Sequence, residues 1–140
     1  MPMATLQNCI VFKTTVFNTS IRREYFINPS CYGDDAARWL ITELTARGIA
    51  TDQTPGQEDF GWHFRFHAGG GDHNVVIGFR PGCYGGDGEW ICWVERKTGL
   101  AGAALGMQKD IKPAAVKIIQ DILVASPTVT VVKFCELKDL

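Results

Sequence analysis

The sequence predicts an α+β fold: a two-layer sandwich in which an antiparallel sheet of about five to six strands carries two helices on one face. Three observations carry that reading. Two segments repeat apolar residues at helical spacing. Several others alternate, or cluster β-branched and aromatic residues. Two of these are joined by Gly69-Gly70-Gly71-Asp72, a hairpin connection. The 140 residues, 46% hydrophobic and 21% charged, match one domain with enough apolar material for a core, so residues 1–140 are read as a single domain.

The elements follow in order. Residues 9–17, CIVFKTTVF, have strand composition, and Asn18-Thr19-Ser20 turns the chain toward a weaker strand at 21–27. After Asn28-Pro29-Ser30, Asp34 or Asp35 can cap a helix whose buried stripe is Ala37, Leu40, Ile41 and Leu44, stopped by Gly48. Residues 49–59 are a polar connection. Strands are expected at 60–68, 74–80 and 89–97. In the first, Trp62, Phe64 and Phe66 alternate with His63, Arg65 and His67. A four-residue turn would pair Ala68 with His73, placing Phe66, Phe64 and Trp62 opposite Val75, Ile77 and Phe79. Those three in turn face Val94, Cys92 and Trp90. Ala115, Ile118, Ile119, Ile122 and Leu123 form the second helical stripe, with Pro113 in the first turn and Ser126-Pro127 at the end. Residues 128–135 read as the last strand, whose place in the sheet is left open.

Composition excludes several functions. Fourteen basic against 15 acidic residues leave a net charge of -1, so neither nucleic acid nor a membrane surface is an expected partner. No apolar run is long enough to span a bilayer. The five cysteines form no C-x-x-C pair, and the N-terminus lacks the basic and apolar regions of a secretory signal. Reduced thiols in a cytoplasmic protein are therefore expected.

The same register specifies the face turned away from the helices. His67, Asn74 and Glu95 would share one row, Arg65, Val76 and Trp93 the next, and His63, Gly78 and Ile91 a third, with Arg80 beside Glu89. Val76, Ile91 and Trp93 are out of place on a solvated face, and Trp93 could stack on Arg65. Gly78 leaves a dent where a ligand or backbone can approach. An ordinary exposed sheet, an association surface and a small-molecule pocket all fit this pattern.

Other candidate chemistry is thinner. His63 and His67 have metal-like i, i+4 spacing only on a helix; on a strand they stand about 13 Å apart. The row of His67, Asn74 and Glu95 offers acid–base groups, but no nucleophile accompanies it, and Cys92 points inward. Glu58 and Asp59 point to opposite faces of an extended chain. Asp59-Phe60-Gly61 lacks every other part of a kinase. The glycines at 99–106 match neither phosphate-loop spacing.

Gly33-Asp34-Asp35-Ala36-Ala37-Arg38-Trp39-Leu40 and Glu58-Asp59-Phe60-Gly61-Trp62 resemble a G-D-D-x-A-x-W-L helix start and an E-D-x-G-W strand found in small bacterial domains of uncharacterised function. The resemblance covers about residues 30–95. It implies a bacterial source and an α+β fold, and brings no activity or catalytic residue.

The expectation is thus a non-enzymatic cytoplasmic binding or interaction module without cofactor or metal. Its contact residues would be Arg65, Val76, Gly78, Ile91 and Trp93, with His63, His67 and Glu95 at the margin, and its partner a second copy or another protein. The alternative is a small ligand-binding protein or enzyme using His63, His67 and Glu95, with residues 97–109 as a lid.

Overall fold

The computed structural model describes residues 7–19, 32–58, 61–81, 88–96 and 111–136. The expected strand at 21–27, Asp59, most of the 81–88 connection and the glycine-rich segment 97–109 lie outside them. The elements run β1 (Cys9–Lys13), α1 (Asp34–Ala46), β2 (Gly56–Glu58), β3 (Gly61–Ala68), β4 (Gly71–Arg80), β5 (Glu89–Glu95), α2 (Pro113–Ala125) and β6 (Thr130–Cys135). Among the described residues all strand pairs are antiparallel, in the order β2-β3-β4-β5-β1-β6. The fold is α+β, as expected. The last strand, left unplaced by the sequence, lies beside β1.

Both helical stripes pack against one face of the sheet, the inner face, although in the second Ile118 is only half-buried and Val116 is buried beside it. From α1 come Ala37, Leu40, Ile41 and Leu44, and from α2 Ala115, Ile119, Ile122 and Leu123. They meet Phe64, Phe66, Val75, Ile77, Trp90 and Cys92 in one core. Fully burying such a side chain contributes roughly 1.5–3 kcal/mol. Gly33 precedes helix α1 at its N-cap, in the left-handed region at φ 136°, with no side-chain cap. Neither aspartate caps it: the Asp35 carboxylate instead accepts the Asn18 N–H at 2.7 Å and the adjacent Ala36 N–H at 2.9 Å. The first of these ties the chain after β1 to the helix. Phe17 consequently leaves the strand direction and packs on Trp39 and Trp90, with ring centroids 5.6 and 5.4 Å away. For that reason β1 stops at Lys13 rather than at residue 17. At the other end of α1, Gly48 N–H bonds to the Thr45 carbonyl and Ile49 N–H to that of Leu44, the Schellman pattern that a left-handed glycine permits.

The β3–β4 pairing differs from the expected one by two residues. The turn is only Gly69-Gly70, with φ of 63° and 84°, the two left-handed positions that a type I′ hairpin needs. Gly71 and Asp72 therefore belong to β4. Ala68 faces Gly71, Phe66 faces His73, Phe64 faces Val75 and Trp62 faces Ile77. A shift of two preserves side-chain parity, so the inner face stays apolar. The β4–β5 register is the expected one, with Phe79, Ile77 and Val75 opposite Trp90, Cys92 and Val94. A short strand, β2, was hidden in the polar connection. It pairs with β3, and the isolated bridge from Thr51 to Phe66 continues its line.

His73 joins this hairpin to α2. Its side chain lies on the inner face, as parity predicts, and is 1% exposed. The Lys112 N–H donates to Nε2 at 3.0 Å, and Nδ1 lies 3.0 Å from the Gly71 carbonyl. Nε2 must keep its lone pair, so the ring is neutral with its proton on Nδ1. Burial first, then Arg96 and Lys112, hold its pKa below the usual imidazole value, against the opposing pull of the Gly71 bond and Asp72.

Candidate functional site

The two-residue shift rearranges the outer face, the side turned away from the helices. Arg65, Asn74 and Glu95 now share one row, and His63, Val76 and Trp93 the next. Gly78 remains beside Ile91, and Arg80 beside Glu89. His67 falls opposite Asp72 instead of Asn74, so the expected acid–base row does not form. Arg65 likewise leaves the Trp93 row, where stacking was anticipated, and His63 takes its place.

β1 extends these rows. Cys9 sits opposite Trp93 and Val11 opposite Ile91. The face divides accordingly into a buried centre and a polar flank. Cys9, Val11, Val76 and Glu95 are at most 2% exposed and Gly78 is buried; His63, Ile91 and Trp93 are half-buried. Arg65 and His67 are exposed. Of the apolar residues expected to present a contact surface, Val76 lies below it, whereas Ile91 and Trp93 are half-buried.

Glu95 anchors the floor between centre and flank. Its Oε1 accepts the Asn74 amide at 3.0 Å and its Oε2 the Trp93 indole at 3.2 Å. A buried carboxylate is tolerable only with such donors. Asn74 is itself half-buried, so one residue both satisfies the internal carboxylate and reaches the flank.

On the flank, a recess of about 340 Å³ is lined by Asp52, His63, Arg65, Asp72, His73 and Asn74. A second, of about 210 Å³, adjoins it through Asp52, Arg65 and Asp72 and reaches His67. Asp52 is positioned by backbone pairing: its N–H donates to the Arg65 carbonyl at 2.9 Å, and its Oδ2 accepts the Arg65 N–H at 2.9 Å. The Arg65 guanidinium stands 3.5 Å from Asp52 Oδ1 with its side chain 73% exposed. His67 Nδ1 lies 2.9 Å from Asp72 Oδ1. That bond, more than any other influence, holds the Asp72 carboxyl below its usual pKa. Both pairs are solvent-exposed and contribute little to stability. Their importance is to place carboxylates and basic groups around one concavity.

A larger cavity of about 510 Å³, at the end of β1, is lined by threonines, Lys13, Phe17 and Phe79. It offers one charged side chain among the described residues that line it, whereas the flank offers converging groups of both signs. No group of three or more metal-ligating side chains occurs among the described residues. No described helix is long and apolar enough to cross a membrane.

Sequence reading found His63, Arg65, His67 and Asn74 but missed Asp52 and Asp72. Asp52 reaches the site through a pairing beside β3 that carries no hydrophobic alternation, and a four-residue turn would leave Asp72 outside the strand. The Gly69-Gly70 pair was the available signal, because two consecutive glycines satisfy a two-residue turn by themselves. Compared with protein-family models, curated proteins and solved structures, the chain matches none.

Proposed function

We propose that this chain is a non-enzymatic binding module whose site is the polar flank of the outer face, and that its occupant is a small zwitterion of amino-acid type. The observation that carries the reading is the convergence of Asp52, Asp72, Arg65, His63 and Asn74 on one recess. A guanidinium held by one carboxylate oxygen at 3.5 Å retains donors for the paired oxygens of a ligand carboxylate. The two aspartates offer acceptors to an ammonium group. Asn74, held from behind by Glu95, supplies a preorganised polar contact. The cytoplasmic location and bacterial source expected from the sequence accord with this reading.

A thermal-shift panel of amino acids, with dicarboxylates and polyamines as single-sign controls, tests it. A zwitterion at a hundred times its Kd should stabilise the chain by about 2.7 kcal/mol. Arg65→Ala and Asp52→Asn should each abolish that shift without moving the unliganded midpoint. Equal responses to single-sign ligands, or shifts surviving both substitutions, would overturn the assignment.

A second reading is favoured by half-buried Ile91 and Trp93 in the centre of the same face, which could meet a second copy or another protein. It predicts a dimer mass by light scattering, lost on Ile91→Asp. Monomer mass across the concentration range would exclude the self-associated form.

A further inference from the structure

We propose that Cys9 and Cys135 form a dithiol oxidation site that closes into a reversible disulfide between β1 and β6. The two residues are direct register partners, both carry free thiols, and neither belongs to the polar flank. Backbone geometry supports their reach. The Val94 N–H donates to the Asn8 carbonyl at 3.0 Å one position along from the Cys9–Trp93 pair, which is therefore a non-hydrogen-bonded pair, so Cys9 turns its own peptide groups toward β6. Cys9 and Cys135 therefore occupy a hydrogen-bonded antiparallel position, where Cα atoms stand about 5.5 Å apart. Disulfides commonly bridge that separation. Cys92, opposite Ile10, has inner-face parity and cannot substitute for either partner.

Exposure sets the order of events. Cys135 is half-buried and Cys9 fully buried, so Cys135 meets a small disulfide first. Burial, and next the Cys135 thiol itself, push the Cys9 thiol up to about 12, while Lys133 and Arg80 pull it down. Cys9 is consequently a poor first attacker, and its task is to resolve. In the first step the Cys135 thiolate attacks one sulfur of an oxidant RSSR, giving Cys135–S–SR and RS⁻. In the second, Cys9 loses its proton and displaces the remaining RS⁻, forming the Cys9–Cys135 bond. Two protein thiols are oxidised, one RSSR is reduced to two RSH, and no other reactant is required.

Incubation of the full chain with oxidised glutathione, followed by tryptic mapping without reductant, is the test. Residues 1–13 should be found linked to residues 134–138, the cleavage products that contain Cys9 and Cys135. The bond closes nearly the whole chain into a loop, so the unfolding midpoint should rise by roughly 10 °C and return on reduction. Cys135→Ser should fold with the midpoint of the reduced wild type and show neither the linked peptide nor the rise. A glutathione adduct persisting on Cys135 without the linked peptide, linkage to a different cysteine, or an unchanged midpoint after oxidation would each overturn the proposal.

Discussion

The two faces of the β3–β4 hairpin depend differently on its register. On the inner face Phe64 lies opposite Val75 and Trp62 opposite Ile77, and a slip of two residues would only exchange these for other apolar neighbours, Ile77 and Phe79. On the outer face the same slip would take His67 from Asp72 to Asn74 and separate Arg65 from Asn74. Apolar packing depends on which face a side chain occupies and tolerates a change of neighbour. Hydrogen bonding requires a particular partner at a particular distance. The inner face therefore accounts for the fold and the outer face for the chemistry.

Substitutions can break this contrast in descending order of effect. Phe64→Ala, at 1% exposure on the inner face, should cost about 3–5 kcal/mol in urea denaturation. Asn74→Ala removes one donor from the buried Glu95 carboxylate and should cost about 1–3 kcal/mol. Glu95→Gln combined with Asn74→Ala should recover part of that loss, because the charge needing the donor is gone. At the exposed end, His67→Gln should leave the midpoint unchanged, its pair with Asp72 being open to solvent on both sides. A loss at His67 as large as that at Asn74 would show that the flank carries stability, contrary to the account.

Acidity offers another separation of the two faces. The folded-state pKa of His73 is lowered, so below the usual value of 6.5 the unfolded chain binds a proton that the folded ring refuses. Stability is thus fully present above pH 6.5 and should fall as pH drops toward the folded-state value. His73→Phe should reduce stability at neutral pH by stranding the Lys112 N–H, and should flatten the decline. Asp72 acts in another window: its lowered pKa gives stabilisation present above 3.8 and lost as pH falls through the folded-state value. Chemical denaturation between pH 8 and about 5 isolates the histidine contribution. A slope unaltered in His73→Phe would contradict the neutral, clamped ring.

Legibility in the sequence followed the same division. The α1 stripe of Ala37, Leu40, Ile41 and Leu44 was readable because helical period and burial coincide. The alternation around Trp62, Phe64 and Phe66 specified their face for the corresponding reason. Asp52 was not readable: its place beside Arg65 comes from tertiary pairing by a segment without hydrophobic alternation. The number of residues in the hairpin turn was a discrete choice that parity alone could not make. Two glycines with positive φ decided it, and with it every partner that β3 and β4 share on the outer face.

The most direct test of the outer-face assignment is an NMR titration of the isotopically labelled chain with the best zwitterion from the thermal-shift panel. Saturable shifts are expected at the amides of Asp52, Arg65, Asp72 and Asn74, while Leu40, Ile77 and Ile119 in the core remain still. Shifts centred on Ile91 and Trp93 with the flank unmoved, or none at a concentration that raises the midpoint, would contradict it.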